Sequence, residues 1–143
     1  MIVPDLNLLI YAVDGGSPFH AAANRWWSDC LSGKKPVGLT HPVLFGFLRI
    51  TTSSRVFGQP LSLDEAAGYL ESWRSRAMVR VLTEDAEHSR SVLRLLHEAG
   101  SAGGNLVTDA QIAALALAHR GVVHTADRDF LRFPGVDCRF PLD

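Results

Sequence analysis

The sequence predicts a single α/β domain of three layers, an α/β/α sandwich in which helices cover both faces of a central, mostly parallel sheet. Short apolar segments that fit buried strands alternate along the chain with longer segments of helical periodicity. The chain of 143 residues is 47% hydrophobic and 20% charged, which suits one compact core. We see no internal repeat, linker or low-complexity tract, so residues 1–143 are expected to form one domain.

The first half of the chain predicts two strands and three helices. In order, they are a strand over 1–4, helices over 6–13 and 18–32, a strand over 37–39, and a helix that starts at 40 or 41 and carries Val43, Leu44, Phe47, Leu48 and Ile50. Ser17 is typical of an N-cap and Pro18 of a first helical position, so the second helix is expected to start there.

Capping residues and a loop mark the elements of the second half. Residues 51–60 have the Ser, Gly and Pro content of an exposed loop, and Ser62 with Glu65 predicts a capping box. The expected elements are a helix from there to about 76, a strand over 78–82, a helix over 84–99 capped by Thr83, a glycine-rich helix end over 100–104, a helix over 106–120, and strands over 122–125 and 136–139.

Composition and charge exclude several classes of protein. The net charge of −1 does not indicate a strongly basic binder of polyanions. Several Arg residues cluster outside the acidic segments, either as a fringe for a phosphate backbone or as ordinary surface charge. No apolar run approaches the roughly 20 residues that cross a bilayer, and the start lacks a signal-peptide pattern, so a cytoplasmic location is expected. Cys30 and Cys138 lack metal-ligand spacing and are interpreted as structural thiols.

Three carboxylates come directly after predicted strands. Asp5 follows the first strand, and Asp127 and Asp129 follow the strand over 122–125. In parallel α/β sheets, ligands bind in the crevice beyond the carboxyl ends of the strands. The alternative role is local, because Asp5 and Asp127 each precede a predicted helix that they are suited to cap. Asn7 is expected to hold either Asp5 or a metal-bound water.

A fourth carboxylate, Asp109, is the only charged residue between Leu106 and Leu117. Such an apolar helix is buried on most sides, where an unpaired carboxylate is costly or stays protonated. Its place in the first turn lets the helix dipole offset part of that cost, which is the structural alternative. Carboxylates that meet at one edge of a sheet repel each other strongly unless they share a divalent cation. The sequence therefore predicts a cation site with oxygen ligands.

Four short segments together resemble a known family. They are Pro4-Asp5-Leu6-Asn7, Phe47-Leu48-Arg49-Ile50, Asn105 to Ala110, and Thr125 to Phe130. The chain resembles the PIN-domain family from residue 1 to about residue 135, and within it the toxin nucleases of VapBC toxin–antitoxin pairs. The resemblance implies an α/β/α sandwich, RNA cleavage that depends on Mg²⁺ or Mn²⁺, a homodimer, and inhibition by a small cognate VapB-like antitoxin.

The resemblance also assigns roles by position. Asp5, Asp109 and Asp127 match metal-binding carboxylates, and Asp129 matches an auxiliary acid. Asn7 and Thr125 match polar supports. A water activated by the metal is then expected to attack a phosphodiester of structured RNA, such as tRNA or ribosomal RNA.

The sequence departs from the family pattern in the middle helix. The family usually has a Glu five residues before the Arg that corresponds to Arg49, and Leu44 occupies that position here. His41 lies about one turn earlier, but His is a poor ligand for Mg²⁺, so a role at the helix start is expected for it. Loss of one negative ligand leaves open how many metals bind and how active the site is.

Two other functions compete with a nuclease. One is a receiver or phosphatase-like domain with Asp5 as the phosphoacceptor, which is disfavoured because the only lysines, Lys34 and Lys35, lie in a predicted turn. The other is a PIN-like dimer with weakened catalysis that binds an antitoxin or RNA. No Ser-His-Asp, Cys-His or paired-His spacing supports covalent or two-His catalysis.

Overall fold

A five-stranded sheet forms the centre of the protein in the computed structural model, which describes all residues from 1 to 143. The strands are β1 (Ile2–Pro4), β2 (Val37–Leu39), β3 (Val79–Val81), β4 (Val122–His124) and β5 (Cys138–Arg139). The helices are α1 (Leu6–Val13), α2 (His20–Ser32), α3 (His41–Thr51), α4 (Leu63–Arg74), α5 (His88–Glu98) and α6 (Leu106–Ala118). None of these helices is long and apolar enough to cross a membrane.

The order of the strands in the sheet fixes the three layers. The order is β3-β2-β1-β4-β5, and every neighbouring pair is parallel. The chain therefore moves from β1 to β2 and β3, and then returns past β1 to β4. Because crossovers between parallel strands are right-handed, a reversal of direction moves the connecting helices to the other face. α1 and α2 thus lie on one face and α5 and α6 on the other, which confirms the predicted sandwich.

An aromatic cluster joins three helices on the α1–α2 side of the sheet. The Trp27 ring of α2 meets the Trp73 ring of α4 edge-on, with 5.4 Å between the ring centroids. Phe47 of α3 packs against Trp73 at 4.9 Å. All three side chains are buried. This cluster holds α3 in place. Packing among the three helices therefore sets which α3 side chains reach the carboxyl ends of the strands.

Two helices start later than the sequence predicts. α2 begins at His20 because Ser17 does not cap it: the Ser17 side chain accepts a hydrogen bond from Phe19 N–H at 3.1 Å and closes a local turn. α5 begins at His88 for a similar reason, since the Asp85 carboxylate accepts from Glu87 N–H at 2.9 Å. Short polar side chains that bond nearby backbone compete with helix formation. The last strand is also shorter than predicted and contains only Cys138 and Arg139.

We predict that Ser62→Ala lowers the free energy of unfolding by about 1 kcal/mol. The predicted capping box is present: Ser62 Oγ accepts from Glu65 N–H at 3.1 Å, and Glu65 Oε1 accepts from Ser62 N–H at 3.0 Å. Urea denaturation measures the change. Ser72→Ala, on the exposed face of the same helix, is the matched control and should leave the midpoint unchanged. Equal midpoints for both variants would contradict the capping role.

Candidate active site

Asp5 lies at the carboxyl end of β1 with both carboxylate oxygens bonded. Oδ1 accepts from Leu6 N–H at 2.7 Å, which makes Asp5 the N-cap of α1, and Oδ2 accepts from the Thr125 hydroxyl at 2.7 Å. The residue is only 4% exposed. Burial raises the pKa of this carboxyl despite both hydrogen bonds, which act in the opposite direction. The capping and site roles considered from the sequence are therefore compatible in one side chain.

Thr125 joins the ends of two neighbouring strands. Its fully buried hydroxyl donates to Asp5 Oδ2 and accepts from Asp127 N–H at 2.9 Å. The backbone N–H of Asp5 donates to the carbonyl of His124 at 2.8 Å. The strand order reverses between β1 and β4, and the crevice beyond such a switch point is the usual ligand site in open parallel sheets. Thr125 therefore fixes Asp5 and the backbone of Asp127 at that point.

Asp127 begins the short 3-10 helix Arg128–Arg132. Its Oδ1 accepts from Asp129 N–H at 2.9 Å, so Asp127 is the cap of this helix, and its second oxygen makes no hydrogen bond. Asp129 is exposed in the first turn. Fully buried Phe130 anchors the segment in the core. The two carboxylates are thus held at the rim of the crevice by the packing of the residue that follows them.

Asp109, in the first turn of α6, faces the other three carboxylates. Burial raises the pKa of this carboxyl to about 7, and repulsion from the charges of Asp5, Asp127 and Asp129 adds to the shift. It forms no side-chain hydrogen bond that favours the ionised form. Its interaction with these three charges places the first turn of α6 beside the carboxyl ends of β1 and β4. The four predicted acids therefore share one region.

The four carboxylates form a donor set that suits a divalent cation. All four side chains offer oxygen, the ligand type that Mg²⁺ and Mn²⁺ prefer, and their mutual repulsion is what a cation relieves. No group of three or more His, Cys, Asp or Glu side chains is arranged as a ready-made coordination shell. Mg²⁺ usually keeps several waters and binds through only one or two carboxylates. The residues therefore fit a cation that waters help to coordinate.

Two polar side chains considered from the sequence, Asn7 and His41, make no hydrogen bond to the site carboxylates. Asn7 is exposed on α1 and makes no hydrogen bond to Asp5, whose oxygens are taken by Leu6 and Thr125. His41 begins α3, where its Nδ1 lies 3.2 Å from a carboxylate oxygen of Glu84. Asn7 is therefore free to bond a water or a ligand, and His41 is already paired.

The position at which α3 approaches Asp5 is Gly46 rather than Leu44. Leu44 is buried and lines an apolar groove between α3 and α4, together with Leu48 and Leu70. Gly46 packs against Leu6, the neighbour of Asp5, so closely that a Cβ added to it would lie 2.6 Å from Leu6 Cδ2. Sequence reasoning missed this residue. A glycine inside a helical pattern was the available signal, because it often marks a close approach.

His124 is a second residue that the sequence did not single out. Its Nδ1 accepts from Trp26 Nε1–H at 3.1 Å. Burial lowers the pKa of this imidazole to about 4, and the charges of Lys35 and Arg139 lower it further in the same direction. His124 is therefore neutral at pH 7 and does not act as a general acid there.

The sequence of the protein matches the family model for the PIN domain over residues 2–136. It is 44% identical over 142 residues to Ribonuclease VapC33 of Mycobacterium tuberculosis, with 99% of each chain covered. It is 35% identical to Ribonuclease VapC37 of the same organism, with 95% of this chain and 94% of the relative covered.

Solved structures share the fold. The crystal structure of VapBC2 from Rickettsia felis, bound to a DNA fragment from their promoter, superposes with a TM-score of 0.69 at 17% identity over 97% of this chain and 98% of the other. Mycobacterium tuberculosis VapC20, described as a sarcin-ricin loop cleaving toxin, superposes with a TM-score of 0.68 at 19% identity over 96% and 99%. Likeness at these identities shows the fold alone. The family match and the full-length sequence relatives show that the chain belongs to the PIN domain family.

Proposed function

We propose that this protein is a divalent-metal-dependent endoribonuclease and the toxin of a type II toxin–antitoxin pair. The observation that carries the proposal is the meeting of four carboxylates at the β1/β4 switch point, where Asp109 faces the charges of the other three. Sequence relatives that are named ribonucleases support the activity.

Asp5, Asp109 and Asp127 are the proposed ligands of Mg²⁺ or Mn²⁺. Each has a different support: Asp5 is fixed by two hydrogen bonds, Asp127 by the turn that it caps, and Asp109 by its place in α6. A bound cation supplies the charge that polarises a scissile phosphate and lowers the pKa of a bound water. Burial and the charges of three neighbouring carboxylates disfavour the ionised form of Asp109, and a bound cation would offset both.

The remaining residues position the reacting groups. Thr125 holds Asp5 in one orientation, as groups behind metal ligands commonly do. Asp129, exposed beside Asp127, orients the attacking water and accepts its proton. Asn7, exposed and without a side-chain partner, would be available to bond a water on a bound cation. No side chain forms a covalent intermediate in this scheme.

The proposed substrate is structured RNA such as tRNA or ribosomal RNA, and the proposed regulator is a VapB-like antitoxin. VapC20, with the same fold, is described as cleaving the sarcin-ricin loop, and several structural neighbours are VapBC complexes. We also propose a homodimer, by family analogy, and action in the cytoplasm. The absence of a basic overall charge is consistent with RNA contacts that are local to the site.

A second candidate function is a PIN-like binding module with weakened catalysis. It is favoured by the lack of any carboxylate on the part of α3 that approaches Asp5, where Gly46 stands, and by the lack of a ready-made coordination shell. Such a module binds RNA or an antitoxin without cutting RNA.

We predict that purified protein cuts cellular RNA at discrete sites with Mg²⁺ or Mn²⁺, and that EDTA or Asp109→Asn reduces cleavage by on the order of a hundredfold or more. Asp64→Asn, exposed on α4, is the matched control and should cleave like the wild type. Gel analysis of the RNA measures the products. Cleavage that persists in EDTA would rule out metal dependence, and absence of both cleavage and calorimetric Mg²⁺ binding would favour the binding module.

We predict a pH-dependent stability effect at Asp109. Folding raises the pKa of this carboxyl to about 7, so the folded state holds the proton more tightly than the unfolded chain does. The resulting stabilisation is present at low pH and is lost as the pH rises toward and through 7. In EDTA, Asp109→Asn should therefore melt at a higher temperature than the wild type at about pH 8 and at the same temperature near pH 4. Thermal denaturation at both pH values measures this. A difference independent of pH would contradict the assignment.

We predict that Thr125→Val lowers metal affinity or cleavage by about 10- to 100-fold, because Asp5 loses the donor that orients it. Calorimetric titration with Mn²⁺ and RNA cleavage measure the two effects. Thr52→Val is the matched control: its hydroxyl only donates to the Leu48 carbonyl within α3. Wild-type values for Thr125→Val would show that the hydrogen bond does not position a ligand.

A further inference from the structure

A groove of about 380 Å³ opens beside the carboxylate site, between α3 and the first two turns of α6. Leu6 and Thr108 line it, and they are the chain neighbours of Asp5 and Asp109. Since consecutive Cα atoms are about 3.8 Å apart, the groove begins within one residue of two proposed metal ligands. None of the four carboxylates lines it. The groove therefore offers space next to the reacting phosphate and not at it.

Gly46 keeps this groove open on the α3 side. A Cβ at this position would lie 2.6 Å from Leu6 Cδ2, which is closer than any van der Waals contact allows. Any larger residue would have to displace the Leu6 side chain, which itself lines the groove. Because Gly46 has no side chain, Leu6 can pack directly against α3 at the edge of the site.

Arg49 supplies a positive charge whose donors are free. It is the only Arg or Lys that lines the groove, and it forms neither an ion pair nor a side-chain hydrogen bond within the chain. The one carboxylate in the groove, Glu84, is held by His41 at 3.2 Å. A planar guanidinium with free donors is suited to a phosphate group, which it can bind through two parallel hydrogen bonds.

Phe45 supplies an aromatic surface one helical turn from Arg49. The residue is 64% exposed, although its ring is large and apolar. One side of the ring stacks on His41, with 5.9 Å between centroids and 21° between planes. Residues four apart on a helix are neighbours on its surface, and both Phe45 and Arg49 line the groove.

We propose that Phe45 and Arg49 bind the nucleotide adjacent to the scissile phosphodiester, with its base stacked on the Phe45 ring and its phosphate on the Arg49 guanidinium. An exposed ring beside an unpaired cation is the combination that binds single-stranded nucleic acid. Bases inside an A-form duplex are already stacked, so this pair selects unpaired RNA, such as a loop. The inference rests on the proposed nuclease function and specifies the substrate at the cut site as unpaired.

The test is RNA binding in EDTA, where no cleavage occurs. Fluorescence anisotropy compares a single-stranded RNA with a blunt duplex of the same sequence. The variants are Phe45→Leu and Arg49→Gln, and the matched controls are Phe19→Leu and Arg25→Gln, which alter an exposed aromatic and an exposed Arg outside the groove. Thermal denaturation checks that all four fold.

We expect Phe45→Leu to weaken single-strand binding by roughly 5- to 150-fold and to leave duplex binding unchanged. Arg49→Gln should weaken binding and reduce the slope of log affinity against log salt by about 1. Both controls should bind like the wild type. In Mg²⁺, the two groove variants should raise KM for a single-stranded substrate more than they lower kcat.

Wild-type RNA binding by both groove variants would overturn the inference and would leave the exposed ring to a protein partner. If such variants also cleaved RNA normally, the nuclease proposal would stand and only the groove assignment would fail. Binding that depends on Phe45 and Arg49, without any cleavage in Mg²⁺, would support the RNA contact and overturn the nuclease.

Discussion

The parallel pairing of β1 with β4 is the contact on which the rest of this protein depends. It brings Asp5 and Thr125, 120 positions apart in the chain, within 2.7 Å. Parallel strands need a crossover connection, so this pairing requires the segment of α5 and α6 that carries the chain back past β1. The carboxylate site is therefore a property of the completed sheet, and no local segment of the chain contains it.

Electrostatic repulsion works against the same assembly. Asp5 is stabilised by a backbone and a hydroxyl donor, whereas Asp109 has burial and the charges of its neighbours and no donor of its own. Burial raises the pKa of both acids, but only Asp5 has donors that hold its carboxylate in place. A cation that binds the folded state stabilises it by mass action, which couples metal binding to folding stability. Neutralising the site would relieve the repulsion that Asp5, Asp127 and Asp129 exert on Asp109.

The α3 helix shows how a single element separates two surfaces. Leu44 lines the apolar groove between α3 and α4, while Gly46 and Arg49 line the separate groove beside the carboxylate site. A resemblance to the family pattern drew attention to Leu44 as the place of a lost acid. Helical geometry directs Leu44 and Gly46 to different neighbours. The packing of Phe47 on Trp73 fixes the rotation of α3, and in this rotation Gly46 lies against Leu6.

Three features were predictable from the sequence: the alternation of strands and helices, the acids at the ends of β1 and β4, and the isolated charge of Asp109 in an apolar helix. These follow from patterns within a few residues, which hydrophobic periodicity and capping chemistry govern. The sequence predicted the starts of α2 and α5 too early, because the polar side chains that cap helices also bond nearby backbone in turns. Long-range packing brings Thr125 to Asp5, raises the pKa of Asp109 to about 7 by burial, and sets Gly46 against Leu6. Each depends on the distance between groups far apart in the chain, and the packed sheet and helices alone set that distance.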